Sequence, residues 1–342
     1  MRKIRVLVVE DSLVFRNLLV QGLNQDSALE VVATASDPFE ARDKIIEYRP
    51  DVMTLDIELP RMSGLEFLRK LMPQYPLPVV IISALSEKVF DAMKAGAVDF
   101  VAKPQVTERE QLRNFLCSEL PVKIKVASTA RVSRYKKPVA FAADQHLSVR
   151  SDIDIIAIGA STGGTEAIAE VIRDFSTDIP GTVIVQHMPP GFTEMYANRL
   201  DSQSRVKVKE AKNGDMVAPG QVLIAPGGSE HMSIVKVGDN YKVVLKKGEK
   251  VNGHCPSVDV LFNSVADVAG AHAIGIILTG MGGDGAKGLL KMQKNGARTI
   301  GQDEASCIVY GMPKVAYDLG AVMYQEKLSD IAKKTYTLLN QR

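Results

Sequence analysis

The chain has 342 residues, room for two domains with full cores, since a single hydrophobic core seldom grows past roughly 250 residues. A formal net charge of +2, with 24% charged residues, leaves no basic or acidic excess that points to nucleic acid or an anionic lipid surface. Cys117, Cys255 and Cys307 are too few and too far apart for a disulfide framework or a zinc site, and no apolar run approaches the roughly 18–20 residues of a membrane span. A cytoplasmic location without membrane insertion is therefore expected. The basic start, Met1-Arg2-Lys3, feeds a strand directly and lacks a small-residue cleavage site, so it does not read as a signal peptide.

From the N-terminus, β-branched runs alternate with helical patterns. Strands are predicted at 4–9, 31–35, 52–55, 79–82 and 100–102, and helices at 13–23, 38–48, 63–72, 86–95 and 107–125. Five βα units imply a parallel sheet covered on both faces. Residues 126–151 break the period with Pro138, several serines and Arg131, Arg134, Lys136 and Lys137, and read as a tether whose basic cluster is solvated. From residue 152 the alternation returns, with strands at 153–158, 182–186, 221–225, 273–278 and 299–301, and a hairpin around Gly238-Asp239-Asn240. The boundaries are drawn at 1–125, 126–151 and 152–342, the last a doubly wound, mostly parallel α/β domain with an antiparallel hairpin.

In the first domain Glu10 and Asp11 end the first strand, Asp56 the third, Ser83 the fourth and Lys103 the fifth. The carboxyl ends of strands in an open parallel sheet converge on one edge, where ligands bind. Three carboxylates there repel one another unless a cation intervenes, and a small hard ion with oxygen ligands such as Mg²⁺ satisfies Glu10, Asp11 and Asp56. Asp56 can then attack a phosphoryl group while Ser83 and Lys103 bind its oxygens. Singly, each residue also fits a helix cap or a surface charge.

In the second domain Gly159-Ala160-Ser161-Thr162-Gly163 follows an apolar run and sets a hydroxyl on a tight strand-to-helix turn, the place of a serine nucleophile, though a phosphate-cradling loop or a plain turn fits the motif alone. His187 ends the next predicted strand on the same sheet edge and can shuttle the serine proton. Asp284, in Gly280-Met281-Gly282-Gly283-Asp284-Gly285, reads either as an N-cap or as the carboxylate that orients His187. The Gly280–Gly283 backbone can serve a developing oxyanion. Thr162, His231 and His254 lie on loops expected to rim the cleft, with Thr162 and His231 as substrate contacts. The chain order Ser161, His187, Asp284 departs from that of α/β-hydrolases. A nucleotide site is disfavoured because the glycine spacing is not that of a dinucleotide fingerprint and no Walker lysine is present.

Residues 1–124, through Glu10-Asp11, Asp56, Ser83, Phe100 and Lys103-Pro104, resemble a response-regulator receiver domain. The resemblance implies a flavodoxin-like fold, phosphotransfer to Asp56 from a histidine kinase, Phe100 moving inward with Ser83, and a cis peptide at Lys103–Pro104. Glu10 stands where an aspartate is often found. The whole chain resembles the CheB family of chemotaxis protein-glutamate methylesterases, through Gly159–Glu166, Gln186-His187-Met188, Ala225–Met232, Pro256-Ser257-Val258-Asp259 and Leu278–Gly285. That resemblance implies removal of methyl esters from chemoreceptor glutamates and deamidation of receptor glutamines. Ser161 is implied as nucleophile, His187 as acid/base, Asp284 as orienting acid and the Met281 N–H as oxyanion donor, with no cofactor in the esterase site. An unphosphorylated receiver is expected to cover the site. A phosphorylation-dependent receptor adaptor without catalysis is the alternative.

Overall fold

A computed structural model describes residues 2–104, 108–132 and 152–341. The chain divides into two compact units, Met1–Val139 and Ala140–Arg342. The helix Leu120–Ser128 runs into the segment read as a tether. Most of that tether, residues 133–151, lies outside the described residues.

The first unit carries five strands, β1 (Ile4–Val9), β2 (Leu29–Ala35), β3 (Val52–Asp56), β4 (Val79–Ser83) and β5 (Asp99–Ala102), in the order β2-β1-β3-β4-β5 and parallel throughout. Every residue of β3 and β4 is buried, as expected of inner strands covered by helices on both faces. The predicted strands are found, with β2 two residues longer at its start and β3 extended to Asp56 itself.

The second unit is built on β6 (Ile155–Ala160), β7 (Gly181–Gln186), β8 (Lys207–Glu210), β9 (Met216–Val217), β10 (Gln221–Ile224), β11 (Glu230–Val237), β12 (Asn240–Lys247), β13 (Ala273–Ile277), β14 (Arg298–Gln302) and β15 (Tyr324–Glu326). Seven form a parallel sheet in the order β15-β14-β13-β6-β7-β10-β8. The expected hairpin is β11–β12, closed at Gly238 with φ +61°, and β9 extends it to an antiparallel sheet of three strands. β8, β9 and β15 are short or polar edge strands without a clear apolar alternation, which is why composition did not mark them.

Strand order reverses direction at β6. The chain steps from β6 to β7 on one side, whereas β13 pairs on the other. A parallel α/β sheet opens a crevice at such a switch point, beyond the carboxyl ends of its strands. Residues that follow β6, β7 and β13 therefore meet there.

Candidate active site

The first unit gathers its acidic residues as predicted. Ligand oxygens of Glu10, Asp11 and Asp56 all lie within 4.8 Å of one another, an all-oxygen set suited to a hard divalent cation. Glu10 and Asp56 are buried and Asp11 is exposed. Lys103 Nζ donates to Glu10 Oε2 at 2.8 Å and to Asp56 Oδ2 at 2.6 Å. Burial pushes the Glu10 carboxyl up to about 7, the nearby Asp56 charge adds to the rise, and the Lys103 hydrogen bond opposes it. Burial alone lowers the Lys103 ammonium, but its bonds to Asp56 and Glu10 outweigh that and leave it above the usual lysine value.

Lys103 reaches the pocket without the expected cis bond: the X–Pro cis peptide among the described residues is Cys255–Pro256, and Lys103–Pro104 is not one. Ser83 ends β4 and is buried. Phe100 is buried too, edge-on to Phe90 with ring centroids 6.2 Å apart.

In the second unit Ala160 and Gln186 are register partners in β6 and β7, so Ser161 and His187 are the next residues on adjacent strands. The His187 N–H donates to Ala160 O at 3.2 Å, and the Ser161 N–H to Thr279 O at 3.0 Å beyond β13. Gln186 Nε2 ties the two turns together by donating to Ser161 O at 2.9 Å and His187 O at 3.2 Å. Glycine is required at 164, because a Cβ there would lie 2.7 Å from Ala160 Cβ as well as 2.1 Å from Gln186 Oε1. Gly163 takes φ +77°, the left-handed conformation that lets the strand turn sharply into the helix Gly164–Arg173.

His187 Nε2 lies 2.9 Å from Asp284 Oδ2. Its Nδ1 is buried and has no hydrogen-bond partner among the described residues, the Ser161 hydroxyl included. Asp284 is 1% exposed and Ser161 7%. Met281 is 47% exposed, and its N–H makes no hydrogen bond among the described residues.

Asp284 does not cap its own helix, Ala286–Lys294, whose N-cap is Gly285. Its carboxylate instead caps the helix Val258–Ala269, accepting Val258 N–H at 2.7 Å and Asp259 N–H at 3.2 Å. Ser257 Oγ at 2.7 Å and Asn252 Nδ2 at 2.9 Å donate as well. Burial raises this carboxyl, but His187, by bond and by charge, then Asn252 and Ser257 outweigh it and hold Asp284 well below the usual range.

Asn252 belongs to none of the sequence motifs, and Ser257 only to a family motif. Nothing in their spacing relates them to a carboxylate some thirty residues on. His254, read as a rim residue, stacks on His187 with centroids 3.7 Å apart and planes at 6°. His231, expected to touch substrate, is as little exposed as Ser161, and its Nδ1 accepts the Ser257 N–H at 3.1 Å while its Nε2 pairs with Glu249 O at 2.8 Å. Both ring nitrogens are spent holding the loop that carries Ser257. Thr162 is also buried, with its carbonyl accepting from Thr279 Oγ1 at 3.0 Å.

A five-stranded parallel unit with an acidic pocket, followed by an α/β unit with serine, histidine and aspartate at its switch point, defines a response regulator joined to a hydrolase-like domain. The sequence model described as CheB methylesterase matches residues 156–335, and that of the response regulator receiver domain matches residues 6–116. The chain belongs to the CheB methylesterase family. A protein from Syntrophomonas wolfei named protein-glutamate methylesterase/protein-glutamine glutaminase 2 is 61% identical over 100% of this chain and 99% of its own length. One from Salmonella choleraesuis with the same name, without the numeral, is 47% identical over 98% and 96%. The crystal structure of the Thermotoga maritima CheB methylesterase catalytic domain is 38% identical with a TM-score of 0.53, over 54% of this chain and 98% of its own. Family and fold class thus agree with the resemblance drawn from the motifs.

Proposed function

We propose that this chain is a phosphorylation-regulated serine hydrolase that removes methyl esters from glutamate side chains and deamidates glutamine side chains of chemoreceptors. The observation that carries this reading is the His187–Asp284 pair at 2.9 Å, with His187 following the strand paired to the one that leads into Ser161. The non-catalytic adaptor reading is not favoured.

The chemistry follows from the hydrogen-bonding pattern. Asp284, ionised and fixed, accepts the His187 Nε2–H, which leaves the lone pair on Nδ1 as the base. Nδ1 takes the Ser161 proton as Oγ attacks the ester carbonyl, and Asp284 stabilises the imidazolium. The Met281 N–H receives the oxyanion, a contribution typically worth 100-fold or more in rate. His187 returns the proton to the departing methoxide, and methanol leaves. Water then attacks the acyl-enzyme in the same way, releasing glutamate and regenerating Ser161. With an amide substrate ammonia departs instead, so both reactions use one site.

In the first unit Glu10, Asp11 and Asp56 would hold Mg²⁺, which offsets charge on the phosphoryl group when bound. Asp56 accepts the phosphoryl group from a histidine kinase of the chemotaxis pathway, and Lys103 and Ser83 bind its oxygens. Among the described residues no helix is long and apolar enough to cross a membrane. Action in the cytoplasm, on the soluble portions of receptors, is consistent with that.

Methanol release from methylated receptor membranes tests the reading. Ser161→Ala should abolish release while leaving Asp56 phosphorylation intact, and full turnover in that variant would refute the assignment.

A further inference from the structure

The segment Val251–His254 is a two-residue hairpin turn. Val251 N–H donates to His254 O and His254 N–H to Val251 O, both at 3.0 Å, and the two central residues, Asn252 and Gly253, have φ of +52° and +84°. Positive φ at both centres is the Asn-Gly geometry of a tight hairpin, so the directions of the Asn252 and His254 side chains are set by the backbone of the turn. Those directions converge on the same pair. Asn252 Nδ2 donates to Asp284 Oδ1 at 2.9 Å and to Asp259 Oδ2 at 2.7 Å, while the His254 ring lies flat on His187 at 3.7 Å.

Both carboxylates that share the Asn252 amide are buried, Asp284 at 1% and Asp259 at 4% exposure. Like charges this close repel, and the Asn252 NH₂ group supplies a hydrogen to each. Asp259 is held from its other side by the Gly288 N–H at 2.7 Å. On Asp284 the donors divide: Asn252, Ser257 Oγ and Asp259 N–H occupy Oδ1, and Val258 N–H and His187 occupy Oδ2. Oδ1 thus takes three donors, which sets the rotation of the carboxylate and leaves Oδ2 aimed at His187. The ring, bonded through Nε2 alone, can still swing about that bond, and the face of His254 closes off that freedom.

We propose that the Val251–His254 turn is a positioning element of the hydrolase, in which Asn252 fixes the Asp284 carboxylate and His254 fixes the plane of His187. This rests on the esterase reading above. Neither residue is a catalytic residue; each acts through the His187–Asp284 pair. Loosening such a pair by about an ångström costs on the order of 100-fold in turnover, because the proton must pass along a defined line.

The test uses the intact chain and methylated receptor membranes. Asn252→Gly keeps the positive-φ turn while deleting the amide, and His254→Ala is compared with His254→Phe, which restores a flat ring without nitrogens. Expected results are a kcat at least tenfold lower for Asn252→Gly with KM within twofold of wild type, a similar loss for His254→Ala, and recovery of most of that loss in His254→Phe. Low-field ¹H NMR supplies a substrate-free readout: the His187 Nε2–H resonance expected in wild type should broaden or shift in Asn252→Gly. Wild-type kcat and an unchanged resonance in Asn252→Gly, or a loss confined to KM, would overturn the proposal. Should Asn252→Gly fail to fold, equal kcat values for His254→Phe and His254→Ala overturn it. A silent wild type, or an active Ser161→Ala, refutes the esterase reading instead, and the NMR comparison keeps that outcome separate.

Discussion

Asp284 concentrates the energetics of the second site in one side chain. A buried charge is tolerated only when fully paired, and its five donors, two of them N–H groups at a helix N-terminus, do that. Asp284→Asn swaps an acceptor for a group that also donates, into a nest built of donors. It should lower kcat by about 10⁴-fold, as expected when the orienting acid is lost and the wrong tautomer results, and methanol release measures it. The same carboxylate sets an acid limit on stability. Its folded pKa lies below the unfolded value of about 3.9, so its contribution is complete at neutral pH and declines as pH falls below about 4. Urea unfolding of wild type and Asp284→Asn should show a stability gap at pH 7 that narrows toward pH 3. A gap of constant size would mean that the charge contributes nothing. Ser161, His187 and Asp284 were legible in the sequence because each ends or follows an apolar run. Asn252 and the inward turn of His231 were not, since both depend on which loop folds over which helix.

At the scale of elements, the site is the product of strand order. The β-branched runs of β1, β3, β4, β6, β7 and β13 identify themselves, and parallel pairing follows from the helices between them. What remained hidden was the adjacency of β13 to β6, which alone brings Thr279 and Asp284 to Ser161 across more than a hundred residues. Equally hidden was the approach of the helix Val258–Ala269 to β6. A Cβ at Gly159 would lie 2.2 Å from Val258 Cγ1, and the Val258 N–H is itself a donor to Asp284. Gly159→Ala should therefore cost about 1–3 kcal/mol by overpacking and reduce kcat as Val258 is pushed aside. Val258→Ala in the same chain removes the obstructing methyls and should restore at least half of both losses. Urea unfolding and methanol release on the two single variants and the double give the coupling; simple additivity would show that the clash is relieved elsewhere.

The molecule as a whole joins two chemistries whose residues do not overlap. Glu10, Asp11, Asp56 and Lys103 all come from the first unit, and Ser161, His187 and Asp284 from the second, each set gathered at the carboxyl edge of its own parallel sheet. Each reaction should then survive loss of the other, and only their coupling should need the intact chain. A small acyl phosphate with Mg²⁺ should raise methanol release of the intact chain by roughly 5- to 150-fold, the span of a coupling free energy of about 1–3 kcal/mol. Asp56→Asn should lose that increase while Ser161 still reacts with a fluorophosphonate probe, and Ser161→Ala should still take up phosphate at Asp56. Residues 152–342 alone should release methanol at a rate indifferent to the donor. A donor response that persists in Asp56→Asn would place the phosphoryl acceptor elsewhere than on Asp56, one of the two buried carboxylates that Lys103 bridges.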